Sequence, residues 1–244
     1  MNEGVIPISI ARIALSLVPL VLLGWIYHRS NRGGGLILYA TGRMLVQLFL
    51  MGFVLVFIFQ IESALMIIPV LVFILSISSW IALRPLGLRN AKRYGRIFVS
   101  VGIACGGMLF YVLFLVIEAS PLYQPRYFIP LAGMIFANAM TAISLAGERF
   151  DDERSRGVNV DQALAAAFKA ALIPQVNAFL AVGLVSLPGM MTGQIIAGVD
   201  PLLAVRYQIV VMAMIFGSAG LSVALFLRWD RVHPSIPLSH ESNA

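Results

Sequence analysis

The chain has 244 residues, of which 60% are hydrophobic and 11% are charged, and its mean hydropathy is +0.92. A soluble globular domain carries about 25% charged residues, so this composition excludes an ordinary soluble fold. The net charge of +6 comes from basic residues near the ends of apolar segments. This placement is typical of topology determinants and contacts with anionic membrane lipid, and it does not indicate nucleic-acid binding.

Seven apolar stretches predict an all-α, polytopic membrane protein, since about 20 apolar residues cross a bilayer as a helix. The predicted spans are 5–27, 36–59, 63–83, 97–117, 127–147, 176–199 and 202–227. We expect one transmembrane domain over residues 1–231, followed by a polar, disordered tail over 232–244. Thirteen of the 17 basic residues lie in loops on one side of these spans, and only Arg126 lies in a loop on the other. Because basic loops stay in the cytoplasm, the N-terminus is predicted outside and the C-terminus inside.

The sixth predicted span is uncharged, yet its middle contains residues that interrupt helices or are polar: Pro188, Gly189, Thr192, Gly193 and Gln194. Interrupted backbone at membrane depth is tolerated where protein or a water-filled cavity satisfies its polar groups. Such segments point to transport sites. We therefore expect this segment to line a translocation pathway.

Further candidates for this pathway are the amide side chains within or near the spans: Asn138, Asn177, Gln194 and Gln208. They form either hydrogen bonds between helices, worth about 1 kcal/mol each, or a hydrated path for a cation or chelate. Met190 and Met191 either pack as flexible side chains or offer thioethers, which favour copper(I) over iron. Asp200, which precedes Pro201, either caps the last helix or attracts cations that leave the pathway.

The longest predicted loop, 148–173, is cytoplasmic and contains a short helix that begins after Asn159 and ends at Pro174. Its apolar residues recur every four positions, at Leu164, Phe168 and Leu172. The helix either lies in the membrane interface or docks on a cytoplasmic partner.

The sequence lacks the motifs of several kinds of catalytic, nucleotide-binding and metal-binding site. Neither lysine lies in a phosphate-binding loop, the three histidines have no metal-ligand spacing, and no acidic residue lies within a predicted span. Cys105 is the single cysteine, so a thiolate metal cluster is excluded. We therefore expect no enzymatic activity and no cofactor in this chain. If the chain transports a substrate, a separate ATPase is expected to supply the energy.

Three runs carry a family resemblance. They are Ile129-Pro-Leu-Ala-Gly-Met-Ile-Phe-Ala-Asn138, Ile173-Pro-Gln-Val-Asn177, and the stretch from Val182 to Pro201 that contains Pro-Gly-Met-Met-Thr-Gly-Gln194. They resemble the Fet-type (FetB-like) iron-export permeases of ABC transporters, to which plant aluminium-tolerance membrane proteins are similar. The resemblance implies a multi-pass permease of the cell (inner) membrane that exports iron or another metal ion. It also implies a cytoplasmic ATP-binding subunit, with two copies of each chain.

The loop over 148–173 departs from the family pattern. Relatives place a Leu-Gly-Ala-Ser-like segment here, whereas in this chain only Gly157 and the closing Ile173-Pro174 match. The resemblance implies that the ATPase docks on this loop, which contains Gly157. The apolar residues Leu164, Phe168 and Leu172 of its helix are the candidate docking face. The alternative function is a membrane scaffold that recruits a soluble partner without transport. The interrupted sixth span favours the permease, since a scaffold needs no broken helix.

Overall fold

The computed structural model describes residues 8–29, 35–58, 67–118 and 125–232. Within these ranges the chain forms nine α-helices and no β-strand. The all-α, polytopic class is therefore confirmed. The contacts divide the chain into two compact units, Met1–Glu62 and Ser63–Ala244. The single domain over 1–231 stays a prediction, and the predicted tail from residue 233 onward lies outside the described residues.

The first unit contains the helices α1 (Ile10–Ser16), α2 (Val18–Arg29) and α3 (Gly35–Ile58). The helical path is interrupted at Leu17 because Pro19 has no N–H and its ring would clash with a carbonyl in the preceding turn. Gly24 is the buried residue of α2, and it lies against Leu38 of α3. A small residue at this contact allows the two backbones to approach closely.

The second unit contains the helices α4 (Ile67–Leu83), α5 (Ala91–Tyr111), α6 (Pro125–Ser155), α7 (Val160–Ala181), α8 (Gly189–Ile196) and α9 (Pro201–Val232). A π-helical turn, Val112–Val116, extends α5. Helices α5, α6 and α9 contact one another, α4 packs on α5 and α6, and α7 packs on α6 and α9.

Small side chains form much of the core of the second unit. Alanines are fully or almost fully buried on α6 (Ala132, Ala139, Ala142 and Ala146) and on α7 (Ala163, Ala167 and Ala171). The three on α7 recur every fourth residue, so they share one face of the helix. Hydrophobic burial does not drive association between helices in lipid, and small residues favour it by allowing close van der Waals packing.

Among the described residues, six helical segments are long and apolar enough to cross a membrane: Ile10–Arg29, Gly35–Ile58, Ala91–Val116, Tyr127–Ser155, Val160–Ala181 and Pro201–Arg231. Helix α4 is apolar but has only 17 residues, and residues 63–66 of the predicted third span lie outside the described residues. The count of seven spans and the orientation of the termini stay predictions.

Two predicted boundaries between residues 148 and 199 are wrong, the end of the fifth helix at 147 and the end of the following helix at Pro174. Helix α6 continues through the charged run to Ser155, and only residues 156–159 separate it from α7. The charges are compatible with a helix because Arg149 pairs with Glu153 and Arg156 pairs with Asp152, each four residues apart. Asn159 does cap α7, since its side chain accepts the N–H of Asp161.

Helix α7 does not end at Pro174 but continues to Ala181. The sixth span over 176–199 is therefore not one element. It comprises the last turns of α7, a turn, and the short helix α8. Pro174 is exposed, and a proline at membrane depth is tolerated in a helix when neighbouring groups satisfy the freed carbonyl.

Candidate translocation site

The predicted interruption is a compact turn between α7 and α8. The carbonyl of Ala181 accepts the backbone N–H groups of Leu184, Val185 and Ser186, so the turn satisfies much of its own backbone. Gly183 has a φ of +83°, in the left-handed region that favours glycine. Helix α8 then begins after Pro188, whose carbonyl accepts the N–H of Thr192.

A cavity of about 370 Å³ lies between this turn, α8 and the first half of α9. Its lining is mainly apolar and consists of Phe179, Val182, Gly183, Met191, Val205, Gln208, Ile209, Met212 and Ala213. Two of the predicted pathway residues, Met191 and Gln208, meet here. Met190, the neighbour of Met191, packs instead against the core.

Gln208 is the polar residue of this cavity. Its side chain is only 5% exposed, and its Oε1 atom is buried without a hydrogen-bond partner among the described residues. Gln194 of α8 has an Oε1 atom in the same condition. A buried carbonyl oxygen without a partner costs free energy. Gln208 therefore places a buried polar group without a described partner in the wall of an otherwise apolar cavity.

The other predicted pathway residues lie elsewhere. Asn138 does not meet Asn177 but accepts a hydrogen bond from the side-chain amide of Gln175, at 3.2 Å, between α6 and α7. Asn177 lines a separate apolar groove on α7. Asp200 caps α9, since its Oδ1 atom accepts the backbone N–H groups of Leu202 and Leu203. Gly189 is the first residue of α8 and is exposed.

The residues predicted to couple to an ATPase occupy the α6–α7 turn and one side of α7. Gly157 lies in the turn with a φ of +78°, and the Arg154 guanidinium donates to the carbonyl of Val158 across it. Three further residues line the same groove as Asn177, next to Leu227 of α9: Leu164, Phe168 and Leu172. Phe168 is 37% exposed, so the groove leaves an apolar surface uncovered in the described chain.

A buried ionic cluster was missed by the sequence analysis. The fully buried Arg93 of α5 contacts Asp151 of α6 and Asp230 of α9, at 2.8 and 2.7 Å. Arg96 also contacts Asp230, at 2.8 Å. The predicted spans 97–117, 127–147 and 202–227 leave these four residues outside, whereas the longer helices α5, α6 and α9 include them. A charged residue one or two helical turns beyond an apolar run is the sequence feature that could have indicated a longer helix with a buried ion pair.

Histidine, cysteine, aspartate and glutamate side chains form no group of three or more that could hold a metal ion among the described residues. Gln208 is the lining residue of the cavity with a polar side chain, and Met191 and Met212 are its thioether-bearing residues. A cation in this cavity would meet few fixed ligands.

A family model for an uncharacterised protein family, UPF0014, matches residues 10–232. The chain belongs to this family. The match covers all nine helices of the described structure, including the turn around Gly183 and the cavity between α8 and α9. It confirms the predicted membership of the Fet-type group, and with the apolar helices it identifies a multi-pass membrane protein.

Three relatives in the family are similar over most of their length. The chain is 37% identical to a UPF0014 membrane protein of Synechocystis over 77% of this chain and 78% of the relative. It is 35% identical to the probable iron export permease protein FetB of Escherichia coli over 91% and 92%. It is 34% identical to the protein ALUMINUM SENSITIVE 3 of Arabidopsis thaliana over 88% and 84%. No solved structure matches the chain at a significant level.

Proposed function

We propose that this chain is the permease subunit of an ATP-driven ABC transporter that exports iron or another metal ion. A separate cytoplasmic ATP-binding subunit supplies the energy, and two copies of each chain assemble. The relative in Escherichia coli that is named a probable iron export permease supports export and iron as substrate. The absence of a phosphate-binding loop from the sequence supports a separate ATPase.

The observation that carries the proposal is the broken path from α7 to α8 beside a cavity whose wall contains the buried polar residue Gln208. A membrane anchor needs only continuous apolar helices. In this chain Gly183, at the interruption, lines the same cavity as Gln208, whose buried Oε1 atom has no partner among the described residues. Interrupted helices that line a cavity are the common architecture of substrate sites in membrane transporters.

The pathway extends from this cavity along the interrupted segment. The predicted residues outside the cavity, which are Asn138, Asn177, Pro188, Gly189, Met190, Gln194 and Asp200, remain part of the proposal. Asp200 supplies negative charge at the start of α9, and the Asn138–Gln175 pair supplies amide groups between α6 and α7. The thioethers of Met191 and Met212 are soft ligands, so the substrate panel has to include copper(I) beside iron(II).

Coupling to the ATPase runs through the α6–α7 turn and the groove of Leu164, Phe168 and Leu172. Helix α9 extends from the cavity at Gln208 to the ionic cluster at Asp230, and 22 residues (230 − 208) of helix span about 33 Å. One continuous helix therefore contacts both the substrate cavity and the cluster that joins α5 and α6. Movement of the α6–α7 turn has a direct structural route to the cavity.

The test is transport by proteoliposomes that contain the chain with its ATP-binding subunit and a panel of metal ions. We expect no ATP hydrolysis by the chain alone, and ATP-dependent movement of one or more ions by the complex. A complex that forms and hydrolyses ATP but moves no ion of the panel would contradict metal export. A partner that binds without any transported substrate would favour the membrane scaffold.

A matched pair of variants tests the cavity. Met191→Leu and Gln208→Leu remove the polarisable and polar groups of the cavity while they keep similar volumes. We expect each to lower the transport rate at least about tenfold, a loss of roughly 1.4 kcal/mol in transition-state stabilisation. Met140→Leu on α6 is the control, since Met140 packs against the core and does not line the cavity. Equal transport by all three variants would exclude this cavity from the pathway.

A further inference from the structure

Another cavity, of about 540 Å³, lies where α4 ends and α5 begins. Its lining contains two arginines, Arg84 and Arg89, and two aromatic residues, Trp80 and Tyr94. Leu83 contributes an apolar wall. This cavity is separate from the candidate translocation site, since the two share no lining residue.

The two arginines of this cavity have no partner in the described chain. Both side chains are exposed, and neither forms an ion pair or a hydrogen bond with another described residue. The next two arginines along the chain, Arg93 and Arg96, instead pair with buried carboxylates. The cavity lining contains these two cationic groups and no carboxylate residue, which favours an anion as the occupant. The guanidinium group binds phosphate in particular, because its planar N–H donors match two phosphate oxygens.

The aromatic walls indicate which kind of phosphate the cavity suits. Trp80 is 54% exposed at the end of the apolar helix α4. Exposed tryptophan at the end of an apolar helix is typical of the level of the lipid headgroups. The hydroxyl of Tyr94 donates to the carbonyl of Ser76 at 3.3 Å, which holds the ring along the wall. An occupant therefore meets cationic groups on one side and apolar surface on the other.

We infer that this cavity binds the headgroup phosphate of an anionic phospholipid. Arg84 and Arg89 contact the phosphate, and Trp80 and Leu83 contact the glycerol and the first methylene groups. Free phosphate would use only the arginines and leave the apolar wall without a function. The net charge of the site favours anionic over zwitterionic headgroups, since basic groups near a membrane are attracted to anionic lipid. The inference does not depend on the transported substrate.

Lipid binding to the purified full-length chain in a neutral detergent tests this inference. Native mass spectrometry measures the bound phosphatidylglycerol and phosphatidylcholine, and thermal unfolding is measured with each lipid and with inorganic phosphate. We expect phosphatidylglycerol to bind and to raise the unfolding temperature, and the other two probes to have little effect. The variant Arg84→Gln/Arg89→Gln should bind phosphatidylglycerol about 30-fold more weakly, since each basic group contributes about fivefold.

Two further variants complete the test. Arg156→Gln/Arg228→Gln removes the same charge at two exposed arginines outside the cavity and should bind phosphatidylglycerol within about twofold of the native chain. Arg84→Lys/Arg89→Lys keeps the charge but loses the planar donor pair, and it should fold and bind with intermediate affinity.

Each of four results would overturn the inference. The first is a native affinity of Arg84→Gln/Arg89→Gln for phosphatidylglycerol, and the second is an equal loss of affinity in the control Arg156→Gln/Arg228→Gln. The third is binding of phosphatidylcholine as tight as that of phosphatidylglycerol. The fourth is stabilisation by inorganic phosphate equal to that by phosphatidylglycerol. If Arg84→Gln/Arg89→Gln lost an ATP-binding subunit but retained the lipid, the cavity would be a protein contact instead.

Discussion

The guanidinium of Arg93 forms two parallel hydrogen bonds with the carboxylate of Asp151, from Nη1 to Oδ2 and from Nη2 to Oδ1, each 2.8 Å long. Nη2 also donates to Asp230 at 2.7 Å, and Asp151 accepts the backbone N–H of Gly87 at 3.0 Å. Arg93 is fully buried. One side chain of α5 therefore joins α6 and α9 and determines how the three helices sit at this end of the second unit.

Replacement of Arg93 by glutamine should strongly destabilise the protein. Asp151 would lose its paired guanidinium, and Asp230 would keep only Arg96, so buried negative charge would remain uncompensated. Breaking a buried ion pair in this way costs about 3–5 kcal/mol. Thermal unfolding in detergent measures the loss. Arg156→Gln is the control, since its pair with Asp152 is exposed and should contribute less than about 1 kcal/mol. A similar effect of the two variants would contradict a structural role of the buried cluster.

A larger residue in place of Gly147 of α6 should destabilise the protein. A Cβ atom at this position would lie 2.8 Å from Cγ of the buried Leu86, so the loop after α4 would have to move. We expect Gly147→Ala to cost about 1–3 kcal/mol of stability, and a second change, Leu86→Ala, to relieve the clash in part. Gly133→Ala on the same helix is the control, because its Cβ would meet no atom within 4 Å. Unfolding temperatures that do not distinguish the two glycines would show that Leu86 packs differently.

The hydrogen bond between Asn138 and Gln175 should make a modest contribution to stability. A double-mutant cycle with Asn138→Leu and Gln175→Leu, followed by thermal unfolding, measures the coupling free energy. In membrane proteins such bonds contribute about 0.6 kcal/mol on average, with a maximum near 1.7 kcal/mol. A coupling within error of zero would mean that the two amides do not meet. The same cycle with Asn138 and Asn177 should give no coupling.

Phe168→Asp tests the groove on α7. If the ATP-binding subunit covers Leu164, Phe168 and Leu172, a carboxylate at position 168 would be buried without a partner, which is costly enough to dissociate the complex. The variant should reach the membrane in normal amount, fail to co-purify with the ATP-binding subunit, and lose transport. Phe168→Leu is the matched control and should keep the complex. Native stoichiometry of the aspartate variant would exclude this groove as the docking surface.

Cysteine labelling tests the predicted orientation. In a Cys105→Ser background, single cysteines replace Ser155, which lies shortly before α7, and Ser186, which lies shortly after it. Both positions are exposed. The charge distribution predicts that an impermeant reagent added outside labels position 186 and not position 155. Labelling of position 155 from outside would reverse the assignment, and labelling of both would mean that α7 does not cross the membrane.

The class of the protein follows from its sequence alone. Long apolar runs with few charges can satisfy their backbone in lipid only as helices, so composition and span length are enough to predict an all-α membrane protein. Two helix starts were also predictable, since Asn159 and Asp200 cap α7 and α9 through their own side chains. Glycine and proline marked the break before α8 for the same reason: their effect on the backbone is local.

The pairing of polar side chains and the true length of the helices depend on tertiary structure. Asn138 meets Gln175 and not Asn177, because the rotation of α7 about its axis is set by the alanines that pack against its neighbours. Arg93 meets carboxylates 58 and 137 positions away. Those contacts allow α6 to remain helical through Asp151. The charges of this segment, taken alone, predict a loop. The local sequence determines the backbone preference and polarity of each segment. Packing of the whole unit decides which faces of distant helices contact one another.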